Sequence, residues 1–255
     1  MDVEGFKRAF VQEFGEGKLS PESALVVGDL RRRGVAVVTQ TTEQTLRVPL
    51  PLTREDLVVG DFDWTRSALR QLGIAMPQPP DYPECLRPLL HRRVWQSTLG
   101  AVQAAGKEVF IKPATETKAF SGLVATPEWL EYLLAQFLPS LAVQCSELVE
   151  MAAEWRVYCV RGAVRACCRY KGELPLDAAV VCDAAATLFA SAEGRQLAGC
   201  AIDFAVLRKP GGELVTGLVE VNDGFSLGAY DGLSAADYTD MLVARWAQLM
   251  KTVTV

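Results

Sequence analysis

The sequence lacks the features that mark membrane and nucleic-acid-binding proteins. No apolar run reaches the roughly 20 residues that a membrane-spanning helix needs, and the amino terminus, MDVEGFKRAF, is not a basic segment followed by an apolar one. Lysine and arginine number 26 against 31 acidic residues, and this net charge of -5 argues against a basic surface that covers phosphates. We therefore expect a cytoplasmic protein that neither enters a membrane nor binds nucleic acid.

Histidine and paired cysteine motifs are also scarce. The one histidine, His91, has no metal-ligand partner near it in sequence, which weakens any mechanism that needs a histidine base. The seven cysteines are odd in number and form no CxxC motif, so we predict reduced side chains in the core rather than disulfides or a zinc site.

The chain has 255 residues, half of them hydrophobic, which is enough for one large domain or for several lobes. Residues 1–88 alternate apolar runs with helical segments that end in glycine, and this pattern predicts a small α/β lobe with a parallel sheet. The segment MPQPPDYP then has four prolines in eight residues, which predicts a connector without regular structure.

The remaining residues, 89–255, predict an α+β module made of two lobes, 89–146 and 147–255. The stretch RPLLHRRVWQSTLGAVQAAG has helical periodicity, KEVFIKPA is typical of a short strand, and TPEWLEYLLAQFLP is typical of a capped helix. Two hairpins are predicted to turn at Arg161-Gly162 and at Pro210-Gly211-Gly212, and a helix closes the chain.

The segment LVEVNDG places two oxygen-bearing side chains on one face of an apolar strand. Side chains two residues apart point the same way, so Glu220 and Asn222 project together. The partner strand of the same hairpin brings Asp203 toward that face. Two carboxylates and an amide without histidine or thiolate are ligands that Mg²⁺ prefers. The alternative is a strand end at which Asp203 caps a turn and Glu220 pairs with an arginine.

Two lysines and a run of acidic residues form the second candidate group. Lys112 ends the strand VFIKP in an extended conformation, and Lys118 follows in the loop ATETKAFSG, so both could face a polyphosphate. Either lysine taken alone is more often a surface residue. Glu154 and Arg156 share a strand face, where they would bind a ligand or pair with neighbours.

In this order, these residues resemble the ATP-grasp superfamily, specifically the clade marked by one arginine and two lysines. The resemblance covers about residues 90 to 255 and implies two α+β lobes that clasp ATP. The chain departs from the best-known ligases of the superfamily because it has only AFSG in place of a long glycine-rich flap. It also shows no substrate-recognition motif in the first lobe.

The resemblance also implies a role for each candidate residue. ATP and Mg²⁺ would be the cofactors, and Arg156 and Lys118 would take part in catalysis. The implied positions are Lys112, Lys118 and Arg156 on the phosphates, Glu147, Leu148, Val149 and Glu150 on the adenine, Glu154 on the ribose, and Asp203, Glu220 and Asn222 on the metal.

The activity implied is that of a ligase that joins a carboxylate to an amine or a thiol through an acyl phosphate, with release of ADP. Its partners would be small-molecule or peptide substrates, or a protein. Two other functions stay open: a nucleotide-binding assembly factor with little turnover, and a kinase that phosphorylates a hydroxyl group. Arg169, Lys171, Tyr230 and Asp231 are further candidates for substrate contacts, although hairpin and turn geometry explains the same residues.

Overall fold

The computed structural model describes residues 5–114 and 119–251 and contains three sheets. The first is parallel, with strand order β2-β1-β3. Its strands are β1 (Arg8–Glu13), β2 (Ala36–Thr41) and β3 (Asp56–Val59). Its helices are α1 (Pro21–Arg32), α2 (Thr42–Arg47) and α3 (Phe62–Gln71). The parallel sheet predicted for the first part of the chain is therefore present, although its strand β1 was not predicted.

The second sheet is antiparallel, with strand order β4-β7-β5-β6. Its strands are β4 (Val94–Thr98), β5 (Phe110–Pro113), β6 (Leu123–Val124) and β7 (Ala142–Ser146). The helices α4 (Leu99–Ala105) and α5 (Pro127–Gln136) complete its core. Thr126 caps α5 by accepting a hydrogen bond from the backbone nitrogen of Trp129, and Pro127 opens the helix.

The third sheet is also antiparallel and has strand order β11-β10-β8-β9. Its strands are β8 (Glu150–Val160), β9 (Ala163–Lys171), β10 (Gly199–Arg208) and β11 (Leu214–Asp223). The helix α6 (Ala178–Ala190) packs on one face of this sheet. The final helix α7 (Ala235–Met250) shares a core with the first sheet, and its Trp246 donates a hydrogen bond to the carbonyl of Asp56.

The helix predicted across RPLLHRRVWQSTLGAVQAAG is wrong. A 3₁₀ helix (Glu84–Leu90) comes first, followed by β4 and α4. Pro88 lies inside the 3₁₀ helix, where it cannot donate a backbone hydrogen bond, and His91 ends that helix with a left-handed φ of 49°. Thr98 then caps α4. The apolar spacing that predicted one helix is therefore divided among the 3₁₀ helix, β4 and α4.

The prediction for the cysteines is confirmed in part. All seven are free thiols, and Cys145, Cys159, Cys168 and Cys200 are buried. Cys167 and Cys182 are exposed, because each lies on the outward side of its strand or helix, so the prediction of a core position is wrong for these two. Among residues 5–114 and 119–251, no helix is long and apolar enough to cross a bilayer.

Candidate functional site

Two adjacent strands bring the three predicted oxygen ligands together. Asp203 on β10 pairs directly with Glu220 on β11, and Asn222 lies two residues further along the same strand. The amide nitrogen of Asn222 donates to an Asp203 oxygen at 3.0 Å and to a Glu220 oxygen at 3.2 Å. The side chains therefore converge on one point of the sheet.

Arg156 forms a bidentate ion pair with Asp203. The two residues are partners in the β8–β10 register, and the guanidinium nitrogens lie 2.8 and 2.7 Å from the two carboxylate oxygens. Both residues are buried. Burial raises the pKa of Asp203, and the opposing effect of Arg156 does not fully offset it. The carboxylate is thus held in place by a fixed cation on the neighbouring strand.

Lys112 reaches Glu220 from the second sheet. Its ammonium lies 2.7 Å from a Glu220 oxygen and 2.7 Å from an oxygen of Asp81. Burial by itself would raise the pKa of Glu220, but the charge and hydrogen bond of Lys112 outweigh it, and the net shift is downward. The alternative in which Glu220 pairs with an arginine is not what the structure shows, because the partner is this lysine.

Asp81 is a member of the site that sequence reasoning missed. It belongs to the proline-rich segment, and its carbonyl accepts a hydrogen bond of 2.7 Å from the backbone nitrogen of Val221. This isolated bridge to β11 places the Asp81 side chain beside Lys112. The only signal in the sequence is an acidic residue within a run of prolines, where the chain has few conformations available.

Arg156 is covered by the loop that follows β11. Its guanidinium lies 5.0 Å from the ring centre of Tyr230, and that ring stacks on Tyr170 at 4.5 Å. The hydroxyl of Tyr158 donates to the carbonyl of Gly228 at 2.9 Å and accepts from the backbone nitrogen of Tyr230 at 3.1 Å. Of the further candidates, Tyr230 thus lies at the site.

Glu154 lies on the same strand as Arg156, but its carboxylate is engaged elsewhere. Lys171 donates to it at 2.5 Å, and the hydroxyl of Tyr170 donates at 3.2 Å. This is the pairing with neighbours that the sequence left open. Lys118 lies outside the described residues.

The four residues predicted to bind adenine connect the second sheet to the third. Glu147 accepts a hydrogen bond from the backbone nitrogen of Arg93, and Glu150 forms an ion pair with Arg208 at 2.8 Å. Leu148 is exposed and Val149 is half-buried. Glu150 begins β8, six residues before Arg156, which is about 20 Å along an extended strand. The structure therefore places this linker at the far end of the strand that carries Arg156.

The greater part of the chain matches the sequence model of a known protein family. The model describes the second family of the ATP-grasp domains in the clade marked by one arginine and two lysines, and it matches residues 89–241. The chain belongs to this ATP-grasp family. The resemblance to this clade is thus confirmed, as is the prediction of an ATP-dependent enzyme of the ATP-grasp type.

Solved structures share the ATP-grasp fold at low sequence identity. A RimK domain protein ATP-grasp from Sphaerobacter thermophilus DSM 20745 has a TM-score of 0.58 at 15% identity, over 93% of this chain and 98% of the other. D-alanine--D-alanine ligase from Bacillus anthracis, complexed with ATP, has a TM-score of 0.54 at 15% identity, over 96% and 98%. Macrocyclase MdnC from Microcystis aeruginosa MRC, bound with precursor peptide MdnA, has 0.50 at 14%, over 93% and 99%.

These likenesses confirm the predicted α+β ATP-grasp fold, and they concern the fold alone. No curated protein sequence matches the chain.

The oxygen donors of Asp203, Glu220 and Asn222 fit a small, hard divalent ion. In an octahedral Mg²⁺ site with bonds of about 2.1 Å, neighbouring ligand atoms are about 3 Å apart. The amide group of Asn222 already lies 3.0 and 3.2 Å from the two carboxylate oxygens. An amide presents its oxygen in place of its nitrogen after a half-turn. Within residues 5–114 and 119–251, no group of three or more His, Cys, Asp or Glu side chains could hold a metal ion, so this donor set depends on the amide of Asn222.

A cleft of about 340 Å³ opens beside the carboxylates. One wall is the proline-rich segment from Met76 to Asp81, with Phe62 from the start of α3. A second wall is formed by Lys112 with Phe120 and nearby residues of the second sheet, and the third is the end of β11 with the loop after it. The cleft is therefore lined by the start of α3, the proline-rich segment, and the second and third sheets with their loops.

Proposed function

We propose that this protein is an ATP- and Mg²⁺-dependent ligase that joins a carboxylate to an amine or a thiol. In the proposed reaction, a carboxylate oxygen of the substrate attacks the γ-phosphorus of ATP, and ADP leaves. The amine or thiol then attacks the carbonyl carbon of the acyl phosphate and displaces inorganic phosphate. The acceptor is a small molecule, a peptide or a protein.

The observation that supports this reaction best is that each carboxylate of the site lies beside a cationic side chain. Lys112 lies 2.7 Å from Glu220 in the lining of the cleft, and Arg156 lies 2.7 and 2.8 Å from the two oxygens of Asp203 on the neighbouring strands. Phosphoryl transfer needs positioned cations for the phosphate oxygens rather than a protein nucleophile. A site built from a lysine, an arginine and metal-binding oxygens suits that need, and it uses no histidine.

We assign the metal to Asp203, Glu220 and Asn222, whose donor atoms converge. Mg²⁺ bound there would neutralise charge on the phosphate oxygens. Lys112 would bind the phosphates with an ammonium that Asp81 and Glu220 hold in position. Arg156 would contribute a fixed guanidinium, because Asp203 and the Tyr230 ring hold it in one orientation.

The remaining roles follow family membership rather than contacts. We assign Lys118 to the phosphates and to catalysis together with Arg156, and the linker Glu147–Glu150, including Leu148 and Val149, to the adenine. Glu154 would hold the ribose, for which its carboxylate must exchange the bonds to Lys171 and Tyr170. We also propose the lobes 1–88, 89–146 and 147–255, a division supported by the three separate sheets.

Product analysis tests the proposal. The protein is incubated with ATP, Mg²⁺ and pooled carboxylates and amines, and small-molecule and peptide acceptors are both included. One structure with this fold is a D-alanine--D-alanine ligase and another holds a precursor peptide. A ligase gives ADP, phosphate and a new amide or thioester. A phosphorylated acceptor would show a kinase, and ATP binding without products would show an assembly factor.

A further inference from the structure

The cleft beside Lys112 has a mainly apolar lining. Phe62 and Phe225 pack against each other with ring centres 5.9 Å apart, and together they form an apolar patch of the lining. Met76 and Leu227 add further apolar surface, and prolines of the connector form the rest of that wall. A ligand that fills this space gains free energy by removing apolar surface from water. The occupant therefore carries a hydrophobic group.

The charged groups of the cleft have an excess of negative charge. Lys112 is the only cation among the described lining residues, and it is shared by the carboxylates of Asp81 and Glu220. A third carboxylate, Asp223, is held at both oxygens by Arg245, at 2.7 and 2.6 Å. In the proposed ligase Lys112 binds the phosphates and Glu220 holds the metal, so Asp81 is the carboxylate left to the acceptor, and it favours a cationic ligand group over an anionic one.

Asp81 is placed to receive that cationic group. Its backbone is fixed to β11 by the hydrogen bond from Val221, and its side chain stays 27% exposed at the cleft. In the proposed ligase, the phosphates of ATP compete with Asp81 for Lys112. Glu220 would then hold the metal, whereas Asp81 would keep a free oxygen that faces the cleft.

The size of the cleft limits the ligand. A volume of about 340 Å³ lies near the lower end of the roughly 300–1,000 Å³ that is usual for small-molecule pockets. This space suits a molecule of amino-acid size. A folded partner would need a much larger surface.

We infer that the cleft binds the amine substrate of the ligase, a small apolar primary amine whose ammonium contacts Asp81 and whose hydrophobic body packs against the patch formed by Phe62 and Phe225. This inference rests on the proposed ligase function, because an amine is consumed only if an acyl phosphate forms. It goes further by naming the chemical class of the acceptor and the residue that recognises it.

Calorimetry on the full chain tests the inference with three probes. Leucinamide has both an amine and an apolar body, glycinamide has the amine alone, and 4-methylpentanoate has the apolar body with a carboxylate. Each is titrated in the presence of Mg²⁺ and a non-hydrolysable ATP analogue. We expect leucinamide to bind at least about tenfold more tightly than either of the others. Equal affinities, or no saturable binding of leucinamide at millimolar concentrations, would overturn the inference.

Variants separate the two contacts. Asp81→Asn should weaken leucinamide at least about tenfold but should not weaken 4-methylpentanoate, since only the first probe has an ammonium and the second is an anion. Asp183→Asn removes an exposed carboxylate on α6 and serves as the matched control. Unchanged leucinamide binding by Asp81→Asn would remove Asp81 from the site.

Phe62→Ala should weaken leucinamide and leave glycinamide unchanged, because only leucinamide has a hydrophobic body. If Phe62→Ala does not fold, Met76→Ala makes the same test at another apolar residue of the lining. The titration of the ATP analogue alone reports on the proposed function. If the analogue binds but the probes show no preference, the ligase proposal stands and the amine inference fails. If the analogue does not bind, both fail.

Discussion

The ammonium of Lys112 on β5 lies 2.7 Å from a carboxylate oxygen of Glu220 on β11, and this contact joins the second sheet to the third. The strands belong to different sheets, so the distance depends on how the two lobes sit against each other. A ligand that binds Lys112 or Glu220 breaks this ion pair, and it therefore changes both the charge of the cleft and the contact between the two sheets.

Glu220→Gln should lower the rate of ADP release at least about 100-fold, because the variant keeps the shape of the side chain but removes a charge that would hold the metal. Steady-state assays with saturating ATP and Mg²⁺ measure the effect. Glu213→Gln is the matched control, since Glu213 is an exposed residue of the β10–β11 hairpin. Near-normal turnover by Glu220→Gln would reject the metal assignment.

Lys112→Ala should weaken binding of the ATP analogue at least about tenfold, since the phosphates lose a point charge. The protein should stay folded but melt at a lower temperature, because Asp81 and Glu220 lose their shared cation. Calorimetry and thermal unfolding give the two quantities. Lys209→Ala, in the β10–β11 hairpin, provides the control. An unchanged affinity would remove Lys112 from the nucleotide site.

Arg156→Met should destabilise the protein by about 3–5 kcal/mol, because it leaves the carboxylate of Asp203 buried without a cation. The double variant Arg156→Met, Asp203→Leu should recover much of that loss, since no charge then stays buried. Urea unfolding of the two variants and the parent measures the difference. If the double variant is as unstable as Arg156→Met alone, the ion pair is not the source of the loss.

Asp56→Asn should reduce stability by about 1–3 kcal/mol at neutral pH, with a smaller effect in acid. Burial acts to raise the pKa of Asp56, but hydrogen bonds from Arg8 and Thr53 outweigh it, so the folded-state pKa is lowered. The carboxylate therefore contributes stability above its unfolded pKa of about 3.9, and this contribution is lost as the pH falls through the folded value.

Urea unfolding of parent and variant at pH 7 and at successively lower pH measures this dependence. The exposed Asp63 is the matched position for a control, Asp63→Asn. A stability difference between parent and Asp56→Asn that does not shrink in acid would contradict the assignment.

Much of the site could be predicted from sequence because it lies on long strands. The two-residue period of a strand fixes which side chains share a face, so Glu220 and Asn222 were recognisable together. The hairpin between β10 and β11 then brought Asp203 opposite Glu220, although a bulge after Asp203 shifts the register. Local periodicity and one turn were enough to define these neighbours.

Asp81 could not be found in this way. Its place depends on a single bridge to Val221, between residues that are distant in sequence and carry no periodic signal. The helix wrongly predicted before β5 failed for a related reason. The apolar spacing there is shared by a 3₁₀ helix, a strand and a short helix, and the pairing of Val94–Thr98 with β7 decides among them.

The contact between Lys112 and Glu220 likewise could not be predicted from the sequence. The pattern around Lys112 indicated an extended backbone and a cation, but it contained nothing about the third sheet. Contacts between sheets depend on the packing of whole lobes, which local periodicity does not encode.

Arg92 joins the second sheet to the third just before Glu220. Its guanidinium donates to the hydroxyl of Ser146 at 2.9 Å, at the end of β7, and to the carbonyls of Leu218 and Val219 at 2.7 and 2.9 Å, just before Glu220. Any opening that preserves these bonds is a rotation about this guanidinium. Such a rotation would keep the separation between Ser146 and Leu218 constant and would change only the distance between the outer edges of the two sheets.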